Sequence, residues 1–381
     1  MSAGYGRRVF EIVQFGLGGV GLALFSLIVQ HEAAIRERLG VELRYRALAD
    51  SNYVLHLEQN AALSHQHLQH LWAGLKPGGG EKLAAQVGAV RNPGPVSIMA
   101  TELDRLKGED SGAKLIAVDV SGADADTILP ALTAALRNGQ RVVLANKRPL
   151  CGPYPDFKKL WAAAGPGANR LRYETTVGAA LPVISTLRSL VDSYDNVQEI
   201  SGAFSGTLGY LCTRLEAGAL YSEAVAEAKA KGFTEPDPRD DLGGVDVARK
   251  ALILARTLGY QLELDQLEIE PLFSPTMRQM SVPEFMTRLT DLDQDFSQRV
   301  EAAAAVGETL RYTATIRTGQ VRVGLAQVGR NTPLGSLRGT DNLIQFRTQR
   351  YNAQPLVIQG AGAGPELTAS GVLADILSFV R

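Results

Sequence analysis

Phe15-Gly16-Leu17-Gly18-Gly19-Val20-Gly21 follows the apolar run Val9–Phe15 and leads into a helical pattern from about Val20 to Leu39. Strand, glycine turn and helix in that order form the context in which G-x-G-x-x-G cradles a dinucleotide pyrophosphate. Gly16 allows the tight turn, Gly18 lets the backbone approach an anion, and Gly21 lets the helix pack close to the strand. Leu17, Gly19 and Val20 complete a loop whose helix-opening amides face that anion. A glycine turn that binds nothing is the alternative. The same apolar stretch, behind Arg7-Arg8, superficially resembles a signal peptide or a membrane span. Glu11, Gln14 and Gln30 interrupt or bound it and glycines crowd positions 16 to 21, which favours strand, turn and helix.

Outward from this point, strand-like runs at Leu43–Ala49, Leu115–Val120 and Arg141–Ala145 alternate with helical segments, the pattern of parallel βαβ construction. Lys76–Gly80 and Arg91–Pro95 read as turn-rich surface loops. After Leu150 the texture changes. Cys151-Gly-Pro-Tyr-Pro opens a loop, and alternating runs such as Tyr312–Ile316 and Val321–Val328 point to an antiparallel sheet with helices. At 381 residues two domains are expected. The fold class is α/β: a Rossmann-type doubly wound parallel sheet plus an α+β domain, with a binding cleft between them.

With 45% hydrophobic and 21% charged residues and a net charge of −1, the chain offers no global basic field, so nucleic acid is not an expected partner. Two cysteines, Cys151 and Cys212, without C-x-x-C spacing, suggest reduced thiols in the cytoplasm.

Three further strand ends are candidates for the cofactor. Asp50, in Ala49-Asp50-Ser51-Asn52, stands where a ribose 2′-hydroxyl is read. Its charge favours NAD, yet Ser51 and Asn52 can accept the 2′-phosphate of NADP if Asp50 turns away, and a solvated turn aspartate is the bland alternative. Ser121, after Leu115–Val118, can line the pocket, and Asn146-Lys147-Arg148 ends the next strand with an amide and two cations. A solvated basic turn would read the same way.

All five histidines, His31, His56, His65, His67 and His70, lie in the presumed cofactor half, so a histidine acid or base is not expected. His65, His67 and His70 lack i, i+4 metal spacing and read as a solvated helix face. Neither cysteine sits in a nucleophile's context. The densest charge cluster is Thr234-Glu-Pro-Asp-Pro-Arg-Asp-Asp-Leu-Gly-Gly-Val-Asp-Val-Ala-Arg-Lys250. Prolines hold Glu235 and Asp237 extended, Gly243-Gly244 bends the chain, and Asp246 and Lys250 then fall at i, i+4 on one helix face. On a solvated face that pair is an ordinary ion pair stabilising by about 0.3–0.5 kcal/mol. In a cleft, Lys250 can protonate a developing alkoxide with Asp246 supporting it and Lys147 assisting electrostatically.

These residues, with Glu174-Thr-Thr-Val-Gly-Ala-Ala-Leu-Pro182, Phe204-Ser-Gly-Thr-Leu-Gly-Tyr210 and the C-terminal Gly360-Ala-Gly-Ala-Gly-Pro-Glu-Leu-Thr-Ala369, resemble the homoserine dehydrogenase family over nearly the whole chain. The resemblance implies reversible NAD(P)H-dependent reduction of L-aspartate 4-semialdehyde to L-homoserine, in threonine, isoleucine and methionine synthesis. It implies catalytic roles for Lys250 and Lys147, and acidic roles for Glu235, Asp241 and Asp246 in holding the substrate ammonium and water or orienting the lysine. It further implies a substrate-contacting turn at Gly206 and Thr207, and a monovalent cation, Na⁺, on Glu174 and the carbonyls of Val177, Ala179 and Leu181. A C-terminal segment around Gly360 is expected to return to the cofactor domain, giving expected bounds of 1–150, 151–340 and 341–381. A homodimer through the second domain's sheet follows from the resemblance alone. So does a monofunctional chain without regulatory domain, aspartate kinase or threonine site.

Gly243 stands where the family often has asparagine and Phe233 where it often has tyrosine, and residues 53–96 do not align by eye. Two rivals remain open: a semialdehyde dehydrogenase using Cys151 or Cys212 as nucleophile, and a non-catalytic cofactor sensor.

Overall fold

Strand β1 (Arg8–Phe15) is buried at every position from Phe10 onward, as a strand covered on both faces must be. It forms the centre of a sheet with β2 (Val41–Ala49), β3 (Tyr53–His56), β4 (Val90–Arg91), β5 (Lys114–Asp119), β6 (Arg141–Leu144) and β7 (Leu171–Arg172), ordered β4-β3-β2-β1-β5-β6-β7. The computed structural model describes residues 8–57, 90–108 and 114–380. The five strands from β2 to β7 in that order are parallel, while β3 and β4 add an antiparallel edge. Helix α1 (Gly19–Leu39) joins β1 to β2, α2 (Pro95–Gly108) precedes β5, and α3 (Ala125–Arg137) joins β5 to β6. Because β2 and β5 lie on opposite sides of β1, the winding reverses there, and a crevice opens beyond the carboxyl ends of β1 and β5.

A buried charge network ties α2 to the sheet: Arg46 bridges Glu11 at 2.6 Å and Glu102 at 2.9 Å, and His56 Nδ1 meets Glu102 at 2.6 Å. His56 therefore has a packing reason. Removing one member of such a network typically costs about 3–5 kcal/mol, because a buried charge is left uncompensated.

Two compact units result, Met1–Ala180 with Gly364–Arg381 and Leu181–Ala363. The chain changes unit later than the expected positions 150 and 340. After Leu150 it still contributes α4 (Tyr154–Ala163) and β7, which pairs with β6. At the other end, residues 341–361 are used by the second unit's sheet, and only the helix Pro365–Ser378 packs with α1, sharing a core of Leu24, Ile28, Val372 and Ile376. The expected loop at Cys151–Pro155 is shorter than it reads, since Arg148–Cys151 is a helical turn and Pro155 sits in the first turn of α4, a position that has no amide bond to lose.

In the second unit β8 (Val197–Ala203), β9 (Glu268–Ile269), β10 (Glu308–Arg317), β11 (Gln320–Gly329), β12 (Asp341–Thr348) and β13 (Leu356–Ala361) form a sheet ordered β13-β12-β8-β10-β11-β9. It is antiparallel apart from the β9–β11 pair. Both alternating runs read from the sequence lie in the β10–β11 hairpin, closed by Thr318 and Gly319 with positive φ, which matches the twist of the strands. Helices α5 (Val183–Asp192), α6 (Gly206–Glu216), α7 (Tyr221–Ala230), α8 (Val245–Thr257) and α9 (Asp293–Ala305) belong to this unit, and α6, α8 and α9 pack on β10. Among the described residues no helix is long and apolar enough to cross a membrane.

Candidate active site

The crevice in the first unit holds a cavity of about 740 Å³ lined by the glycine loop, by Asp50 to Asn52 and by Val120 to Asp124. The glycines have the reasons the motif requires. Gly16 has φ +103°, and a Cβ there would come within 2.7 Å of the backbone of Val120 and Ser121. A Cβ on Gly21 would run into the carbonyl oxygen of Gly16, whereas at Gly18 it would meet nothing within 4 Å, so a ligand can approach that backbone closely. A Cβ on Gly19 would lie 3.4 Å from the Pro365 ring, and Leu17 is buried beside Phe25 and Leu48. Val20 is half-buried in the first turn of α1. The loop is pinned by a residue the sequence reading overlooked. Buried Gln14 donates from Nε2 to the carbonyls of Gly16 at 2.9 Å and Gly21 at 3.0 Å, and its Oε1 accepts from Tyr45.

Asp50 ends β2 with its carboxylate engaged: Oδ1 accepts the amides of Asn52 at 2.7 Å and Tyr53 at 2.6 Å. The bland and functional readings thus coincide, since the turn that uses the carboxylate also fixes it at the cavity wall. Ser51 lines the same wall. Across the crevice, fully buried Asp119 organises two expected residues. It accepts the amide and hydroxyl of Ser121 at 3.0 and 2.6 Å and the amide group of Asn146 at 3.1 Å. Burial pushes its carboxyl up to about 6, and those hydrogen bonds oppose the shift. Lys147 is half-buried at the start of the turn Arg148–Cys151. Arg148 is used to brace the next loop, donating to Gly122 at 2.7 Å and Asp124 at 2.6 Å.

In the second unit Lys250 sits on α8 with its side chain only 12% exposed. Its ammonium donates to the carbonyl of Phe204 at 2.7 Å and pairs with Asp246, one turn earlier, at 2.8 Å. Two of three N–H donors are thereby used, and one is left for a ligand. The bend before α8 falls at Gly244 alone. Gly244 has φ +71° and abuts the hydroxyl of Tyr312, while Gly243 has φ −71° and is ordinary helical backbone. Asp241 accepts the Glu235 amide at 2.7 Å. Its carboxyl is raised above the usual carboxylate range, first by burial and further by the nearby charges of Glu235 and Asp246, with the Glu235 amide and the Thr207 hydroxyl opposing. The structure therefore gathers Glu235, Asp241, Asp246, Thr207 and Lys250. Thr207 also donates to the Phe233 carbonyl at 2.6 Å. A backbone group serves there, so phenylalanine at 233 disturbs nothing. Gly206 opens α6 behind Ser205, whose hydroxyl caps the Leu208 amide at 3.3 Å, and a Cβ on Gly206 would crowd Thr340.

Asp237 does not join the cluster, because Arg239 holds it at 2.6 Å. A further contributor missed from sequence is buried Asn342 on β12. It donates to the Phe204 carbonyl at 3.4 Å, the same oxygen that holds Lys250, and its Oδ1 has no hydrogen-bond partner among the described residues. Gly360 lies in β13 of the second unit opposite Asn342, where a Cβ would come within 3.0 Å of Leu181, a packing reason for glycine.

Of the expected cation ligands, Glu174 opens a short turn, Val177 ends it, and Gly178 and Ala179 are both left-handed with φ +78° and +52°. The carbonyls of Val177 and Ala179 accept no turn or loop backbone hydrogen bond among the described residues, while that of Leu181, in the second unit, accepts the Val183 amide at 2.8 Å. Carbonyl and carboxylate oxygens are of the hard type that fits a monovalent cation. No cluster of three or more His, Cys, Asp or Glu suited to a metal occurs among the described residues. His65, His67, His70 and Lys76–Gly80 lie outside them. Both cysteines are buried, and burial pushes the Cys212 thiol up to about 11, which makes it a poor nucleophile.

The homoserine dehydrogenase family profile matches residues 182–377. The chain is similar to the homoserine dehydrogenase of Emericella nidulans, 42% identical over 65% of this chain and 70% of that one. It is also similar to the chloroplastic bifunctional aspartokinase/homoserine dehydrogenase 1 of Arabidopsis thaliana, 37% identical over 97% of this chain and 39% of that protein. The chain spans less than half the length of the bifunctional relatives it matches. Among solved structures, a Candida auris protein of unknown function shares the fold with a TM-score of 0.83 and 28% identity, covering 97% of this chain and 98% of that one. On the profile match and the fungal relative, the chain belongs to the homoserine dehydrogenase family.

Proposed function

We propose that the chain catalyses the reversible NAD(P)H-dependent reduction of L-aspartate 4-semialdehyde to L-homoserine. The observation that carries this reading is the grouping of a half-buried lysine, with one N–H unused among the described residues, with three carboxylates at the start of α6. A zwitterionic amino acid needs acceptors for its ammonium and donors for its carboxylate. Glu235 and Asp241 supply the first, and the amides of Gly206 and Thr207, at the positive end of α6, supply the second. Lys250 then protonates the developing alkoxide from the N–H that neither Phe204 nor Asp246 uses, and recovers the proton in the reverse direction. Asp246 stabilises the ammonium form between turnovers, and Lys147 adds positive charge. When bound, the dinucleotide supplies the hydride. The amides around Gly18 hold its pyrophosphate, and Ser121 and Asn146, organised by Asp119, line its pocket.

The same reading extends to Na⁺ on Glu174, Val177, Ala179 and Leu181, to a homodimer, to the cytoplasm, and to threonine, isoleucine and methionine synthesis. It includes neither nucleic acid nor membrane as a partner. Homoserine-dependent reduction of NAD⁺ and NADP⁺, assayed side by side, tests it. Turnover with homoserine is expected, and its absence with both dinucleotides overturns the reading.

A further inference from the structure

The strand end that would meet the adenosine ribose is more constrained than its sequence suggests. Asp50 is fixed at three groups by four hydrogen bonds. Its amide donates to the Tyr53 carbonyl at 2.9 Å, its Oδ1 accepts the amides of Asn52 and Tyr53, and its carbonyl accepts the Asn92 side-chain amide. Asn92 is itself locked, its amide donating to Asn52 at 2.9 Å and its Oδ1 accepting from Gly94 at 2.7 Å. The carboxylate therefore cannot turn away without losing two backbone hydrogen bonds, and only Oδ2 is left to accept a hydroxyl.

Charge points the same way. Among the described residues lining the cavity there is no lysine or arginine. Its second carboxylate, Asp124, is already paired with Arg148, which leaves Asp50 as the uncompensated charge. Arg91, beside Asn92 in sequence, lies over the Tyr53 ring, 5.9 Å from its centroid. A 2′-hydroxyl donates well to a fixed carboxylate, whereas a 2′-phosphate brings like charge against it.

We propose that Asp50, locked by Asn92, makes this chain select NAD over NADP. The inference rests on the dinucleotide reading of the first unit and adds its specificity. Binding measured by calorimetry or by nicotinamide fluorescence tests it without turnover. NADH is expected to bind the purified protein at least about tenfold more tightly than NADPH, a gap of the size that an uncompensated like-charge contact produces. Asp50→Asn keeps the Oδ1 acceptor and the turn but removes the charge, and is expected to narrow the gap mainly by tightening NADPH. Asn92→Ala removes the hydrogen bond to the Asp50 carbonyl and is expected to narrow the gap by freeing the turn that holds Asp50. Equal or tighter binding of NADPH by the wild type overturns the specificity proposal and leaves the dinucleotide site standing. Binding of neither dinucleotide overturns the site reading along with it. A gap unchanged in Asp50→Asn also overturns the assignment.

Discussion

Lys250 Nζ lies 2.7 Å from the carbonyl oxygen of Phe204, and that contact separates this lysine from an ordinary helical ion pair. An exposed i, i+4 pair leaves its ammonium solvated. Here a carbonyl at the end of β8 and the carboxylate of Asp246 fix the ammonium, and its remaining N–H has a defined direction. Lys250→Ala is expected to lower kcat for homoserine oxidation by about two to four orders of magnitude, as loss of a general acid does, while dinucleotide affinity barely changes. Near-normal turnover in the variant removes the lysine from the mechanism.

Asp241 gives the site a dependence on pH. Its carboxyl is raised, so it takes up a proton at higher pH than an ordinary aspartate. As pH falls through that raised value the cluster loses the charge of Asp241. KM for homoserine should therefore climb on the acid side, with dinucleotide affinity flat. Asp241→Asn is expected to raise KM by about tenfold, the worth of a charge-assisted hydrogen bond, and to flatten the acid limb. An unaltered KM profile in the variant rules out this role.

For Asp119 the effect falls on stability. Its carboxyl sits near 6 in the folded chain, against roughly 3.9 when unfolded. Between those values the folded state keeps a proton that the unfolded state has released, so stability is greatest below the window and falls as pH rises through it. About two pH units correspond to ~3 kcal/mol at most. Asp119→Asn stays neutral throughout and should lack this decline, which melting curves from pH 4 to 7 will show as two Tm profiles of different slope. Parallel profiles would falsify the assignment.

Gly244→Ala combines a left-handed backbone with a collision against the Tyr312 hydroxyl, whose hydrogen bond to the Glu270 carbonyl at 2.8 Å would have to give. A loss of about 1–3 kcal/mol from backbone strain alone is expected in urea unfolding, more if Tyr312 is displaced. Tyr312→Phe in the same chain should recover part of it, because the clashing oxygen is gone. Additive losses in the double variant would instead mean that the added methyl group avoids the ring.

By itself the sequence determined the glycine loop and the central strand, because backbone geometry at Gly16 and Gly21 admits no side chain and a strand buried on both faces is predominantly apolar. It determined the i, i+4 relation of Asp246 and Lys250, since helical spacing is local. Only the tertiary structure decided what those residues face. Gln14 reads as an interruption of an apolar run until the fold turns its amide onto two loop carbonyls. Asp119 reads as one acid in a polar turn until burial beside Ser121 and Asn146 raises its pKa. The unit boundaries depend on long-range pairing, β7 with β6 and β12 with β8, which no local pattern announces. Lys250 has its ammonium fixed through Phe204, a residue 46 positions away. Local chemistry is written in the order of the residues, whereas desolvation and hydrogen-bond partners arise only when distant segments pack together.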